Sequence, residues 1–184
     1  MTVKKIMALA AELCGRRDLA DFLGGVSAEN LPEQQRETET LLQCYNLTEN
    51  EIALDYLPLR RLQDFDSDGE ISYDLFAKPP VEILSVRTAA GAKAEFTVAE
   101  EGIRTPVGAL KVEYSYRPSV KTEEDEAELN LKGDGRLLAL GTACEFALLS
   151  GMMQEATLLD KRYRDALACA CRERGGRLKM RRWI

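Results

Sequence analysis

Between Val3 and Cys14, apolar residues recur at spacings of three and four, so Ile6, Leu9, Ala10 and Leu13 fall on one side of a helix that Gly15 can end. Asp18 is placed to cap a short second helix with Leu19, Phe22 and Leu23 as its apolar patch, and Gly24-Gly25 stops it. Ser27 to Gln35, which contains Pro32, reads as a loop. A third helix is predicted from about Glu33 to Leu57, with Leu41, Leu42, Tyr45, Ile52, Ala53 and Tyr56 buried. Asn46 to Asn50 marks where it would kink or split. Pro58 closes it, because the residue before a proline is pushed out of the α region.

From Leu59 to Pro118 the period changes. Ile71 to Phe76 alternates, Val81 to Arg87 lies between Pro79-Pro80 and the turn Ala90-Gly91, and Lys93 to Ala99 puts Ala94, Phe96 and Val98 on one face. Leu110, Val112, Tyr114 and Tyr116 alternate again. Four or five short antiparallel strands are predicted. Lys121 to Leu131 is an acidic connector in which Thr122 could cap Glu123 to Glu126. After Gly133-Asp134-Gly135 the pattern is helical through Arg174. Leu137, Leu140, Gly141, Cys144, Leu148 and Gly151 form one stripe, and Met152, Ala156, Leu159, Tyr163, Ala166 and Ala170 form a heptad-like second one. Ser150-Gly151 separates the two helices, and Gly175-Gly176 ends the second before a basic tail.

These elements predict an α+β fold: a helical bundle formed by N- and C-terminal helices, with a small antiparallel β unit inserted between them. The expected divisions are residues 1-58, 59-119, 120-176 and the tail 177-184. The two helical segments should pack on each other, burying Leu42, Tyr45, Ile52, Leu140, Cys144 and Leu148. A chain of 184 residues is the size of one domain.

Composition narrows the chemistry. There is no histidine, which excludes Ser-His-Asp and Cys-His nucleophilic sites and His-ligated zinc or iron. Net charge is −6, but residues 161 to 184 carry +7, leaving −13 on the rest. An acidic body argues against nucleic-acid binding spread over the whole surface, since phosphate neutralisation needs clustered Lys and Arg. The five cysteines are odd in number and at no metal-site spacing, which suits bystander thiols in a reducing compartment. The apolar run Ile6 to Ala11, ended by Glu12, is shorter than a secretion-signal core. Leu137 to Met153 is interrupted by Glu145 and shorter than a membrane span, so no membrane partner is expected.

Three clusters are candidates for chemistry. Asp64, Asp66 and Asp68, followed by Gly69 and Ile71, copy the first positions of an EF-hand loop, but Leu75 stands where the bidentate glutamate belongs. A solvated turn is therefore expected, with no metal. Glu123, Glu124, Asp125, Glu126 and Glu128 lack a neighbour that would perturb their titration and read as solvated carboxylates. No catalytic residue and no cofactor is predicted. In the tail, Arg177, Lys179, Arg181 and Arg182 interleave with Leu178, Met180 and Trp183, a pattern suited to an ordered protein contact, with a solvated basic segment that complements the preceding helix dipole and a contact to nucleic-acid phosphates as the alternatives.

Three segments carry a resemblance: Leu41-Leu42-Gln43-Cys44-Tyr45-Asn46 through Tyr56-Leu57-Pro58-Leu59, the strand Lys78-Pro79-Pro80-Val81-Glu82-Ile83, and Gly141 through Tyr163. Together they resemble head-tail connector proteins of tailed bacteriophages and prophages, the class that includes the tail tubular protein A family. Within that class, Leu138 to Leu148 is similar to one helical segment and Ala156 to Leu167 to the next. The likeness spans about residues 40 to 172. It implies a virion structural protein, made and assembled in the bacterial cytoplasm. Copies would form a ring below the portal, touching portal and tail proteins, with DNA only as passing cargo. The family has no catalytic residues. The acidic segment Ser27 to Glu39 and the EF-hand-like stretch depart from it. A small regulatory or nucleic-acid-binding module using the basic tail, with Arg177, Lys179, Arg181, Arg182 and Trp183 as its contacts, is the competing expectation.

Overall fold

The computed structural model describes residues 1–26 and 32–172. Five helices, α1 (Val3–Leu13), α2 (Arg17–Leu23), α3 (Pro32–Glu51), α4 (Gly135–Leu149) and α5 (Met153–Cys171), enclose one apolar core. Between α3 and α4 run seven strands: β1 (Leu59–Ser67), β2 (Glu70–Ser72), β3 (Pro80–Thr88), β4 (Lys93–Ala94), β5 (Thr97–Val98), β6 (Gly102–Arg104) and β7 (Gly108–Tyr116). The class is α+β.

The hydrophobic spacing explains the helical core. Ile6 and Ala10 of α1, Leu41 and Tyr45 of α3, Leu140 and Phe146 of α4, and Leu159 of α5 are all buried in it. Segments distant in sequence thus share one interior, and α4 packs against α1, α3 and α5. Of the six residues expected there, Tyr45, Ile52, Leu140 and Cys144 are buried, Leu42 is half-buried, and Leu148 is exposed. Leu148 lies in the last turn of α4, where no element covers it.

Several boundaries differ from the sequence pattern for local reasons. Part of the predicted loop Ser27 to Gln35 is helical, because Pro32 occupies the first turn of α3, where its missing N–H costs nothing. Asn46 to Asn50 causes no break: Asn46 and Asn50 return their side-chain amides to the carbonyls of Leu42 and Asn46 at 3.0 Å each. The helix ends in a π turn, Ile52–Tyr56, in which Leu57 N donates to Ile52 O at 2.7 Å ahead of Pro58. That widened turn swings Tyr56 outward, so it is exposed rather than buried. Thr122 caps no helix; its N–H and hydroxyl both donate to Asp125 Oδ2, at 2.7 and 2.8 Å, in an irregular connector.

The β unit has seven strands rather than four or five, in two sheets ordered β1-β7-β3-β4 and β2-β6-β5. Val86, Leu110, Val112 and Tyr114 of the larger sheet share an apolar cluster with Ile71 and Ile103 of the smaller. Phe76 fills the gap, 4.8 Å from the rings of both Phe65 and Tyr114. Only the start of the alternating run Ile71 to Phe76 is strand, since Tyr73–Leu75 turns as a 3-10 segment. Lys93 to Ala99 splits between the two sheets, leaving Val98 exposed.

The largest revision concerns Asp64, Asp66 and Asp68. Asp64 and Asp66 are in the middle of β1, paired with Lys111 and Ala109 of β7. The turn is confined to Asp68 and Gly69, the latter with φ +123°.

Candidate interaction surface

The helical hairpin α4–α5 is built by two local signals. Asp134 caps α4, its Oδ1 accepting from Leu137 N at 2.8 Å, and Gly151 reverses the chain with φ +74°. The reversal is tight, Leu148, Leu149 and Met153 lie around it with nothing among the described residues to cover them, and Leu149 and Met153 are 65% and 62% exposed. Together they form an exposed apolar patch.

Beside this turn a groove of about 640 Å³ runs along α5. Ala156, Asp160, Tyr163, Arg164 and Leu167 face it from α5 at helical spacing, Cys144, Glu145 and Leu148 from α4, and Glu51 and Tyr56 from the end of α3 and its π turn. Its walls are acidic. Asp160 is paired with Arg164 at 2.9 Å, and Glu51 accepts from Tyr163 Oη at 3.1 Å. Neither Glu51 nor Glu145 has an ion pair among the described residues. Burial pushes the Glu51 carboxyl up, aided by the like charges of Glu145, Asp55 and Asp160, although the Tyr163 hydrogen bond opposes it. The Cys144 thiol, pushed up to about 11 by burial and by Asp160 and Glu145, stays protonated at neutral pH.

A second polar feature locks the β unit to the helices. Glu49 of α3, 2% exposed, accepts from Tyr45 Oη and from the backbone N–H of Glu128, each at 2.8 Å. Glu128 Oε1 in turn receives Lys121 at 3.3 Å and Lys78, from the loop before β3, at 3.2 Å. Burial raises the pKa of Glu49, while its two hydrogen bonds and Lys121 act against that shift. Asn46 adds a clamp on the connector, accepting from Lys121 N at 2.7 Å and donating to Lys121 O at 3.1 Å. The connector is thereby fastened to α3, and Lys78 ties the loop before β3 to it.

The carboxylates singled out in the sequence are dispersed. Asp64 projects from the open face of the larger sheet, 3.8 Å from Lys111, and no group of three metal-ligating residues occurs among the described residues. Isothermal titration at micromolar calcium should be nearly flat. A clear transition removed by Asp66→Ala would overturn that expectation. In the acidic connector, Glu126 pairs with the terminal amine of Met1 at 2.9 Å, Asp125 bonds Thr122, and Glu128 is drawn inward, so this stretch fastens α1 and α3. Arg177, Lys179, Arg181, Arg182 and Trp183 lie outside the described residues. No helix among the described residues is long and apolar enough to cross a membrane.

Sequence spacing missed the groove and the Glu49 junction. Glu51 and Tyr163, and Glu49 and Glu128, meet only through folding, and a lone glutamate on a polar helix carries no signal of burial. The i, i+4 pair Tyr45 and Glu49 is the one trace legible beforehand. No family model matches the chain, and no curated protein matches it significantly.

Proposed function

We propose that this chain is a structural subunit of a tailed-phage or prophage virion, a head-tail connector that forms a ring below the portal through which DNA passes. The observation that carries the reading is the uncovered apolar turn Leu148, Leu149 and Met153, which falls inside the region that resembles connector proteins. No other described residue covers these side chains, and a neighbouring subunit or the portal would remove them from water. The links from Glu49 to Glu128 and from Glu128 to Lys78 support the same reading, because a ring needs each subunit to hold its two surfaces together.

Mixing the full-length protein with portal rings of its parent element, and imaging the product by electron microscopy, tests the proposal. An added ring of density is expected. Leu149→Asp should abolish that ring while leaving stability within about 0.5 kcal/mol, as for other exposed substitutions. Salt-dependent affinity for duplex DNA, with no ring on the portal, would favour the nucleic-acid-binding module instead.

The acidic body adds an expectation about order of events. Identical acidic subunits repel, so the isolated protein should be a monomer or small oligomer until a template supplies opposite charge. Deleting residues 177-184 should leave the melting temperature nearly unchanged and block incorporation into particles. Normal incorporation of the truncated chain would remove the tail from assembly.

A further inference from the structure

We propose that the acidic groove along α5 is the docking site for the chain's own C-terminal segment, Arg177 to Ile184, in the free subunit. This goes beyond the connector reading and does not depend on it.

Position argues first. The last described turn of α5 ends against the groove: Cys171 Sγ is 3.9 Å from the carbonyl oxygen of Tyr56, and Tyr56 forms the groove's rim. Residues 173 to 176 separate Arg172 from the proposed ligand, a span of up to about 13 Å, and Gly175-Gly176 permits the chain to reverse. From Leu167 back to Ala156 the groove follows α5 for about 16 Å. Eight extended residues cover about 26 Å, so Arg177 to Ile184 can run its full length.

Chemical complementarity argues second. Glu51, Glu145 and Asp160 stand on the walls with Arg164 as the single opposing cation, while Ala156 and Leu167 form an apolar floor and Leu148 and Tyr56 an uncovered rim. The segment alternates Arg177, Lys179 and Arg181 with Leu178, Met180 and Arg182, then ends in Trp183-Ile184. An extended chain of this pattern turns Arg177, Lys179, Arg181 and Trp183 to one side and Leu178, Met180, Arg182 and Ile184 to the other. The indole, on the same side as Arg177, Lys179 and Arg181, would cover Leu148 at the far end of the groove, and the cations would meet Glu145 and Glu51. The other sizeable groove on the α4–α5 side, about 500 Å³, sets Lys132, Arg136 and Arg162 against Asp134 and Asp165 and so offers a basic segment no net negative charge. Tethering by four residues makes the contact intramolecular, so modest intrinsic affinity suffices to keep it closed.

Trp183 is the one tryptophan in the sequence, so its fluorescence reports the segment in the intact chain. The full-length protein should show blue-shifted emission and weak acrylamide quenching, both independent of dilution. Glu145→Lys should raise the quenching constant several-fold and shift emission to the red without changing the far-ultraviolet circular dichroism. If that variant fails to fold, the tail-side reversal Arg181→Glu/Arg182→Glu gives the same readout from outside the packed core. Combining it with Glu145→Lys should restore protection. Emission typical of free indole in the native chain would overturn the proposal. So would protection that survives both reversals, which places Trp183 elsewhere, or protection lost on dilution, which places it in a second copy.

Discussion

Replacing Lys121 with methionine should destabilise the fold by about 3 kcal/mol near neutral pH, the low end of the range for breaking a buried ion pair. Lys121 is 7% exposed, and its ammonium is 3.3 Å from Glu128 Oε1. Methionine keeps the apolar stem and removes the charge. Lys78 still reaches Glu128 at 3.2 Å, which is why the loss falls at the low end, but the attraction of Lys121 for the buried Glu49 disappears. The pKa of Glu49 is already raised by burial and should rise further. A carboxyl that binds its proton more tightly in the folded state than in the unfolded one gains stability as pH falls through the folded pKa toward the unfolded value. The deficit of the variant should therefore be largest well above the folded pKa and shrink as Glu49 takes up its proton. Urea melts at about pH 7.5 and about pH 5 would show it, a window above the ordinary carboxylate range in which the salt-bridged acids titrate. Adding Glu49→Gln should recover part of the loss. A deficit below about 1 kcal/mol, or one equal at both pH values, would mean that Lys121 is a solvated partner after all.

The same residues show how far the sequence could be read. The α+β class was legible because hydrophobic periods of three to four and of two occupy different stretches, and the chain follows them in α1, α4, α5, β3 and β7. Gly15 and Gly151 adopt positive φ where the pattern ends a helix. What failed was context. Asp64 and Asp66 imitate a cation loop by type and spacing, yet β1 pairs across its whole length with β7, and register there is set by Phe65 opposite Leu110 and Gln63 opposite Val112. Cross-strand pairing outweighs the turn preference of aspartate. Leu148 belongs to a stripe in which Leu137, Leu140, Gly141 and Cys144 are buried, but the reversal at Gly151 comes too soon for any other described residue to cover it. The groove could not be read because its carboxylates come from three helical segments, and each looks like an ordinary solvated residue in its own segment.

Gly141 sets the distance between the three helices that frame this groove, and enlarging it should damage the helical core in proportion to the size of the new side chain. A Cβ built on Gly141 would stand 2.5 Å from Thr48 Cγ2 on α3 and 3.0 Å from Tyr163 Cε2 on α5. Glycine inside a helix costs about 1 kcal/mol relative to alanine, so an alanine here gains propensity while forcing two packed side chains apart. Overpacking of this kind costs about 1 to 3 kcal/mol. Gly141→Ala should therefore be mildly destabilising, and Gly141→Leu, with three more carbons and nowhere to place them, should lose about 3 kcal/mol. Thr48→Ser removes the methyl group that meets the new Cβ and should return most of the alanine loss but little of the leucine loss. The Tyr163 ring is harder to move, because its hydroxyl bonds Glu51 at 3.1 Å; displacing it would open the wall of the groove as well as the core. Chemical denaturation of the parent, the two Gly141 variants and each of these with Thr48→Ser measures the effect. If Gly141→Ala instead stabilised the chain by the full propensity gain, the close approach of α3, α4 and α5 would not be what holds a glycine at this position.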